Sequence, residues 1–227
     1  MRFPKIKLSP GLLSFAYRFV DVEASGEAAT PDGRMIEYSF VIGKLALLEK
    51  GRVLDVGCVA RLNFLPATLI SIGWEVYGID MRQFKFRSPN FHFVLGDITR
   101  TDFPDSFFDA IYAVSTLEHI GLAGRYGISK YDQEGDATAL REMRRILRSG
   151  GTLLLTLPYG NEKRQTTLNR LYDRDSLEEL LADWEIKDRI LYAQDNEGFW
   201  TTLVEEKGWR LDRNKEAIAL LELNLQK

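Results

Sequence analysis

Apolar runs of strand length alternate with segments of helical period along most of this chain. The runs are RVLDVG (52–57), WEVYGID (74–80), NFHFVLGD (90–97), FDAIYAVS (108–115) and GTLLLTLP (151–158). Between them, RMIEYSFVIGKLALLE (34–49) repeats Met35, Tyr38, Ile42, Leu45 and Leu48 at steps of three or four, with Gly51 as a stop. DATALREMRRILR (136–148) does the same with Ala137, Leu140, Met143 and Leu147, and Ser149-Gly150-Gly151 ends it. Pro66 suits the first turn of a further helix, with Asn63 as its cap. Such alternation predicts an α/β fold, a mostly parallel sheet with helices on both faces.

Beyond residue 158 the pattern loosens. SLEELLADW reads as a short helix capped by Asp175 or Ser176, and EIKDRILYA and EAIALLELNLQ read as late strands. Helix is the rival for the last of these, because Ala and Leu are good helix formers. Two late strands after five alternating units predict a seven-stranded sheet closed by an antiparallel pair. Residues 195–214 carry few signals of either kind.

A chain of 227 residues without an internal repeat or a Pro/Gly/Ser linker reads as a single domain, 1–227. Residues 1–33 read as an N-terminal lid or docking segment, amphipathic over 9–22. Arg18 and the aromatics break the apolar run of that segment and no small-residue cleavage site follows, so it is not read as a signal peptide. The net charge of −3 argues against a nucleic-acid partner, which calls for a basic surface. No stretch approaches the roughly 18 apolar residues of a membrane span. The one cysteine, Cys58, rules out an internal disulfide and fits a reducing compartment, hence a cytoplasmic protein. Two distant histidines and no clustered carboxylates predict no metal site. Oligomeric state is not legible.

Three turns carry the chemistry. In doubly wound sheets, ligands sit at the carboxyl ends of strands where the strand order reverses. After the first strand comes Asp55-Val56-Gly57-Cys58, where the glycine lets a backbone approach a ligand closely. Asp80 ends the second strand, roughly 20 residues on, where a carboxylate can accept from both hydroxyls of a ribose. Gly96-Asp97 ends the third, where the Asp can accept from an adenine amino group. Together these describe an adenosine site.

VLDVGC, VYGID, VLGDI, FDAIYAVSTLEHIG and LRSGGTLLLTLPYG occur in this order. The set resembles the successive motifs of class I S-adenosylmethionine-dependent methyltransferases of the type 11-like kind. That resemblance implies a Rossmann-like sheet with a final antiparallel strand and S-adenosylmethionine as cofactor. Carried over motif by motif, it puts Asp55, Gly57 and Cys58 beside the methionine portion and Asp80 on the ribose. Met81 would pack on the adenine, Gly96, Asp97 and Ile98 would border its edge and face, and Ser115 would lie beneath the sulfonium. EHIGLAGRYG, EGD and LPYG resemble a bacterial and archaeal subgroup found near polysaccharide biosynthesis, which implies a sugar or glycan-precursor acceptor. The family's first motif normally continues Gly-x-Gly-x-Gly, whereas Gly57 here is followed by Cys58-Val59-Ala60-Arg61.

His119 follows the fourth strand, where transfer would occur, and an imidazole suits removal of a proton from an oxygen or nitrogen acceptor. Glu118 is placed to orient it. Arg125 and Tyr126, in the loop 121–135, and Tyr159, after the fifth strand, are candidate contacts for a small-molecule acceptor. Cys58 is expected to be an unreactive loop residue, His92 structural, and Arg141, Arg144, Arg145 and Arg148 a solvated face paired with acids. Two rivals remain. A dinucleotide oxidoreductase would need more glycine for its pyrophosphate. A non-catalytic methyltransferase-like binding protein would fit the depleted glycine turn.

Overall fold

The computed structural model describes residues 32–60, 63–123, 131–203 and 217–225. The candidate contacts Arg125 and Tyr126 lie outside these residues, as do 1–31 of the expected N-terminal lid.

The order of elements is α1 (Gly33–Leu47), β1 (Arg52–Val56), α2 (Leu65–Ser71), β2 (Glu75–Asp80), β3 (Phe91–Leu95) and β4 (Phe108–Val114). A single 3-10 turn, Leu117–His119, follows β4. Then come α3 (Gly135–Ile146), β5 (Leu147–Tyr159), β6 (Arg164–Gln165), β7 (Arg170–Leu171), α4 (Arg174–Leu180), β8 (Trp184–Gln194), β9 (Trp200–Leu203) and β10 (Ala217–Leu225). The main sheet runs β3-β2-β1-β4-β5-β10-β8-β9, with β6 and β7 as a separate ribbon. Strands β1 to β5 pair in parallel, and β10, β8 and β9 add antiparallel. The fold is therefore the expected Rossmann-like sheet with an antiparallel end. It has eight strands instead of seven because β9, in the stretch with few signals, folds back on β8 through Asp195–Phe199. The last segment is strand, since β10 lies between β5 and β8 and both of its edges are paired.

Alternate residues of the central strands enter two cores, one on each face. Val53 of β1, Ala110 and Tyr112 of β4, and Leu154 of β5 pack under α1 and α2 with Val41, Leu45, Leu65 and Trp74. Leu54, Val56, Ile111, Ala113, Leu153 and Leu155 face Leu140, Met143, Leu177 and Leu181 of the α3–α4 layer. Burial on both faces is why these strands read as near-continuous apolar runs.

Several local expectations shift. The buried face of α1 is Glu37, Tyr38, Phe40, Val41 and Leu45, whereas Met35 is exposed. A charge thus sits on the stripe that packs on the sheet. Helix α1 ends at Leu47 with Leu48 as its C-cap, ahead of Gly51, and the Lys50 ammonium donates to the carbonyls of Leu45, Ala46 and Leu48. Asn63 accepts from Leu65 N at 3.1 Å, one residue before Pro66. Helix α4 is capped by Asp173, not Asp175 or Ser176. Asp173 accepts from Ser176 N at 2.9 Å while Ser176 Oγ receives Asp173 N at 3.0 Å, a reciprocal capping box. Arg145 of α3 and Arg148 at the start of β5 form paired surface contacts, Arg145 with Glu142 and Asp105 and Arg148 with Asp109, each at 2.6 Å.

Candidate active site

The strand order reverses between β1 and β4, and the carboxyl ends of β1 to β4 open onto one cavity of about 420 Å³. That volume is within the range of small-molecule sites. Its walls are consecutive strand ends: Val56 and Gly57, Ile79 to Met81, Gly96 to Thr99, and Val114 to Thr116. Val59, Ala60 and Arg82, the stretch His119 to Gly121, and Arg34 and Asp132 complete it.

Gly57 takes a left-handed φ of 79° and packs on the Thr116 side chain so closely that an added Cβ would lie 2.4 Å from its hydroxyl. Its N–H donates to Ile79 O at 2.9 Å, which ties the β1 turn to the end of β2. Only glycine fits both demands. The two residues flanking this turn sit behind the wall. Cys58 is fully buried, and burial pushes its thiol well above the ordinary range. Asp55 is buried with its Oδ2 held by Asn63 Nδ2 at 2.9 Å, and burial raises its carboxyl to about 7. Neither lines the cavity, so both act through the turn they brace.

Asp80 lines the cavity with its carboxylate almost buried, accepting from Val59 N at 2.9 Å and Arg82 N at 2.9 Å. The Arg82 guanidinium adds Nε to Oδ1 at 3.0 Å and Nη2 to Oδ2 at 3.1 Å. Met81 is half exposed beside it. Beyond the end of the neighbouring β3, Asp97 Oδ1 accepts from Thr99 N at 2.9 Å, and Ile98 is buried against the wall.

The other end is built differently. Ser115 adopts a left-handed φ of 42°, strained for a residue with a side chain, and its N–H reaches Thr156 O at 3.1 Å. Its hydroxyl donates to the buried Glu37 carboxylate, which also receives Thr156 Oγ1 at 2.5 Å and the Arg34 guanidinium at 3.2 Å. His119 turns Nδ1 to Leu168 O at 2.6 Å and has Nε2 3.6 Å from Glu118 Oε1. A carbonyl oxygen only accepts, so Nδ1 carries a hydrogen, while Nε2 faces the Glu118 carboxylate. The β6–β7 ribbon that supplies Leu168 is itself anchored by Arg170. That buried side chain reaches Ile120 O at 2.5 Å, Asp132 O at 3.1 Å and Asp136 at 3.5 Å, while Tyr172 donates to Asp136 at 2.9 Å. Tyr159, expected to touch an acceptor, is instead buried in the core, where it bridges to Tyr172 and pairs with Ala217.

Arg34, Glu37, Arg82 and Arg170 were not anticipated. For Glu37 there was a signal, an acid spaced four and eight residues before Val41 and Leu45 on the packed stripe of α1. Arg34 had one too, an i,i+3 position to Glu37 on α1. Arg82 folds back on Asp80 and Arg170 reaches Ile120 fifty residues away, which no local pattern encodes.

Residues 54–155 match the family described as "Methyltransferase domain". The stretch from β1 to β5 thus resembles a methyltransferase domain. Sterol 24-C-methyltransferase erg-4 of Neurospora crassa is 30% identical over 139 residues, 54% of this chain and 33% of that protein. The chain spans between 33% and 58% of the lengths of the curated relatives it matches. A 1,6-didemethyltoxoflavin-N1-methyltransferase of Burkholderia thailandensis, solved with S-adenosylhomocysteine bound, has a TM-score of 0.56 and 16% identity, covering 99% of this chain and 94% of that one. An S-adenosylmethionine-dependent methyltransferase of Clostridium acetobutylicum has the same TM-score at 13% identity, covering 96% and 100%.

The cavity suits S-adenosylmethionine by donor set. It offers one carboxylate for a ribose, a second acid with an apolar neighbour for an adenine, and a guanidinium near the strained Ser115 turn. Among the described residues no group of three or more His, Cys, Asp or Glu side chains is placed to hold a metal. No helix among them is long and apolar enough to cross a membrane.

Proposed function

We propose that this protein transfers the methyl group of S-adenosylmethionine to an oxygen or nitrogen of a small molecule in the cytoplasm, with a sugar or glycan precursor as the favoured class. The observation that carries this reading is a single cavity joining Asp80 and Asp97 at one end to His119 at the other. Asp80 accepts the ribose hydroxyls, Met81 and Ile98 border the adenine, and Asp97 accepts from its amino group. Arg34, with Glu37 behind it, is suited to the cofactor's carboxylate.

The cofactor supplies a methyl already activated by a cationic sulfur, so the chain's main task is positioning. What remains is the acceptor's proton. With Nδ1–H committed to Leu168, His119 Nε2 takes that proton, and the Glu118 carboxylate steadies the imidazolium that forms. The relatives include a sterol 24-C-methyltransferase and a 1,6-didemethyltoxoflavin-N1-methyltransferase, different acceptors that do not select one.

The test is incubation with methyl-labelled cofactor and a panel of sugar nucleotides and glycan precursors. Label in a small-molecule product, lost in the His119→Ala variant, supports the reading. Tight binding of S-adenosylhomocysteine with no transfer to any acceptor would instead favour a non-catalytic binding protein.

A further inference from the structure

A carboxylate has about four lone-pair directions, and those of Asp80 are all taken. Two are used by backbone N–H groups, Val59 in the turn after β1 and Arg82 in the turn after β2. These are fixed by the fold. The other two are used by the Arg82 side chain, with Nε on Oδ1 and Nη2 on Oδ2. Nη2 also donates to Val59 O, so the fork is latched to the β1 turn. Two donors held side by side on a planar fork present the pattern that a vicinal diol offers. Arg82 lines the same cavity, and its side chain is 40% exposed, so it has solvent to swing into.

We propose that Arg82 occupies the ribose position of Asp80 and is a built-in competitor for the nucleoside. This rests on the assignment of Asp80 to the ribose. A ribose diol can reach both oxygens only by displacing the guanidinium, because the two backbone donors cannot leave. Arg82 thereby lowers the affinity for substrate and product nucleoside alike, and it can return to Asp80 as the spent nucleoside departs. With Asp80 buried and Arg82 partly exposed, the pair is stronger than a surface pair and weaker than a fully buried one, so its removal should tighten nucleoside binding by about tenfold, or ~1.4 kcal/mol.

The experiment is calorimetric titration of S-adenosylhomocysteine at pH 8 into wild type, Arg82→Met, Arg82→Lys, Asp80→Asn and the double variant, with thermal melting of each. Arg82→Met should bind about tenfold tighter, and Arg82→Lys, which keeps the charge but loses the fork, should fall between it and wild type. Free Arg82→Met should melt below wild type, and the difference should close at saturating ligand, where Arg82 no longer touches Asp80. In the Asp80→Asn background, removing Arg82 should change affinity little. Affinity equal to or below wild type in both Arg82 variants, or a melting difference that persists at saturation, overturns the proposal and makes Arg82 a brace for the β1 turn. Wild-type affinity in Asp80→Asn would mean that the ribose assignment itself is wrong.

Discussion

The two ends of the cavity are made of different kinds of contact. At the nucleoside end, Gly57, Asp80, Met81 and Asp97 sit at or within two residues of strand ends, and their hydrogen-bond partners are two to twenty-two residues away, as in Thr99 N to Asp97 and Gly57 N to Ile79 O. At the transfer end, the contacts join distant parts of the chain: Ser115 with Glu37, His119 with Leu168, Arg170 with Ile120. The first end follows from the parallel sheet, since any strand of that order delivers its last residue there. The second depends on α1 and the β6–β7 ribbon arriving correctly. Nucleoside binding and transfer should therefore be separable by mutation.

His119→Ala should break that comparison most sharply. Turnover should drop by roughly 10²- to 10⁴-fold, the usual range for a general base, while calorimetry finds S-adenosylhomocysteine affinity within about twofold of wild type. Turnover unchanged on a confirmed acceptor would remove the base role. Next comes Arg170→Met, which leaves the buried Asp136 without its cation and frees the ribbon that holds Leu168. Urea unfolding should record a loss of about 3–5 kcal/mol. In protein that remains folded, turnover should suffer more than nucleoside affinity. Equal losses in both would show that the two ends are one unit.

Asp55 offers a test within the nucleoside end. Its carboxyl is raised to about 7 in the folded protein by burial, against the ordinary carboxylate range when unfolded. The folded state therefore binds the proton more tightly. The associated stability is fully present below the unfolded value and is lost as the pH climbs from about 4 to about 7. Asp55→Asn should flatten that slope and gain on wild type by on the order of a few kcal/mol at pH 8. Because Asp55 lies behind the wall, nucleoside affinity should hardly move. A similar slope in both proteins would contradict the assignment.

The smallest effect is expected away from both ends. The Arg145 guanidinium holds Glu142 down at about 2, helped by Thr101. The stability from this pair is present above the ordinary carboxylate range and fades as the pH falls toward 2. The pair is at the surface, so Glu142→Gln should cost less than about 1 kcal/mol at pH 7 by thermal melting. A larger loss would mean that the α3 face does more than cover the core.

What could be read from the sequence follows the same division. The strands, the antiparallel close and the turn residues Gly57, Asp80 and Asp97 were legible because period and position encode them locally. Even there, Asp55 and Cys58 showed their limits. Both side chains are buried behind the turn, and neither reaches the cavity. Tyr159 misled for a related reason, since the β7 bridge covers the end of β5 and turns that residue inward. The Arg82 fork on Asp80 depends on a side-chain rotamer, which no spacing rule specifies.

A crystal structure of this chain with S-adenosylhomocysteine tests the account most directly. The ribose hydroxyls should rest on the two oxygens of Asp80, the adenine between Met81 and Ile98, and the homocysteine sulfur on the Ser115 side facing His119. A nucleoside bound elsewhere, or seated there with Asp80 and Asp97 both turned away from it, would contradict the account.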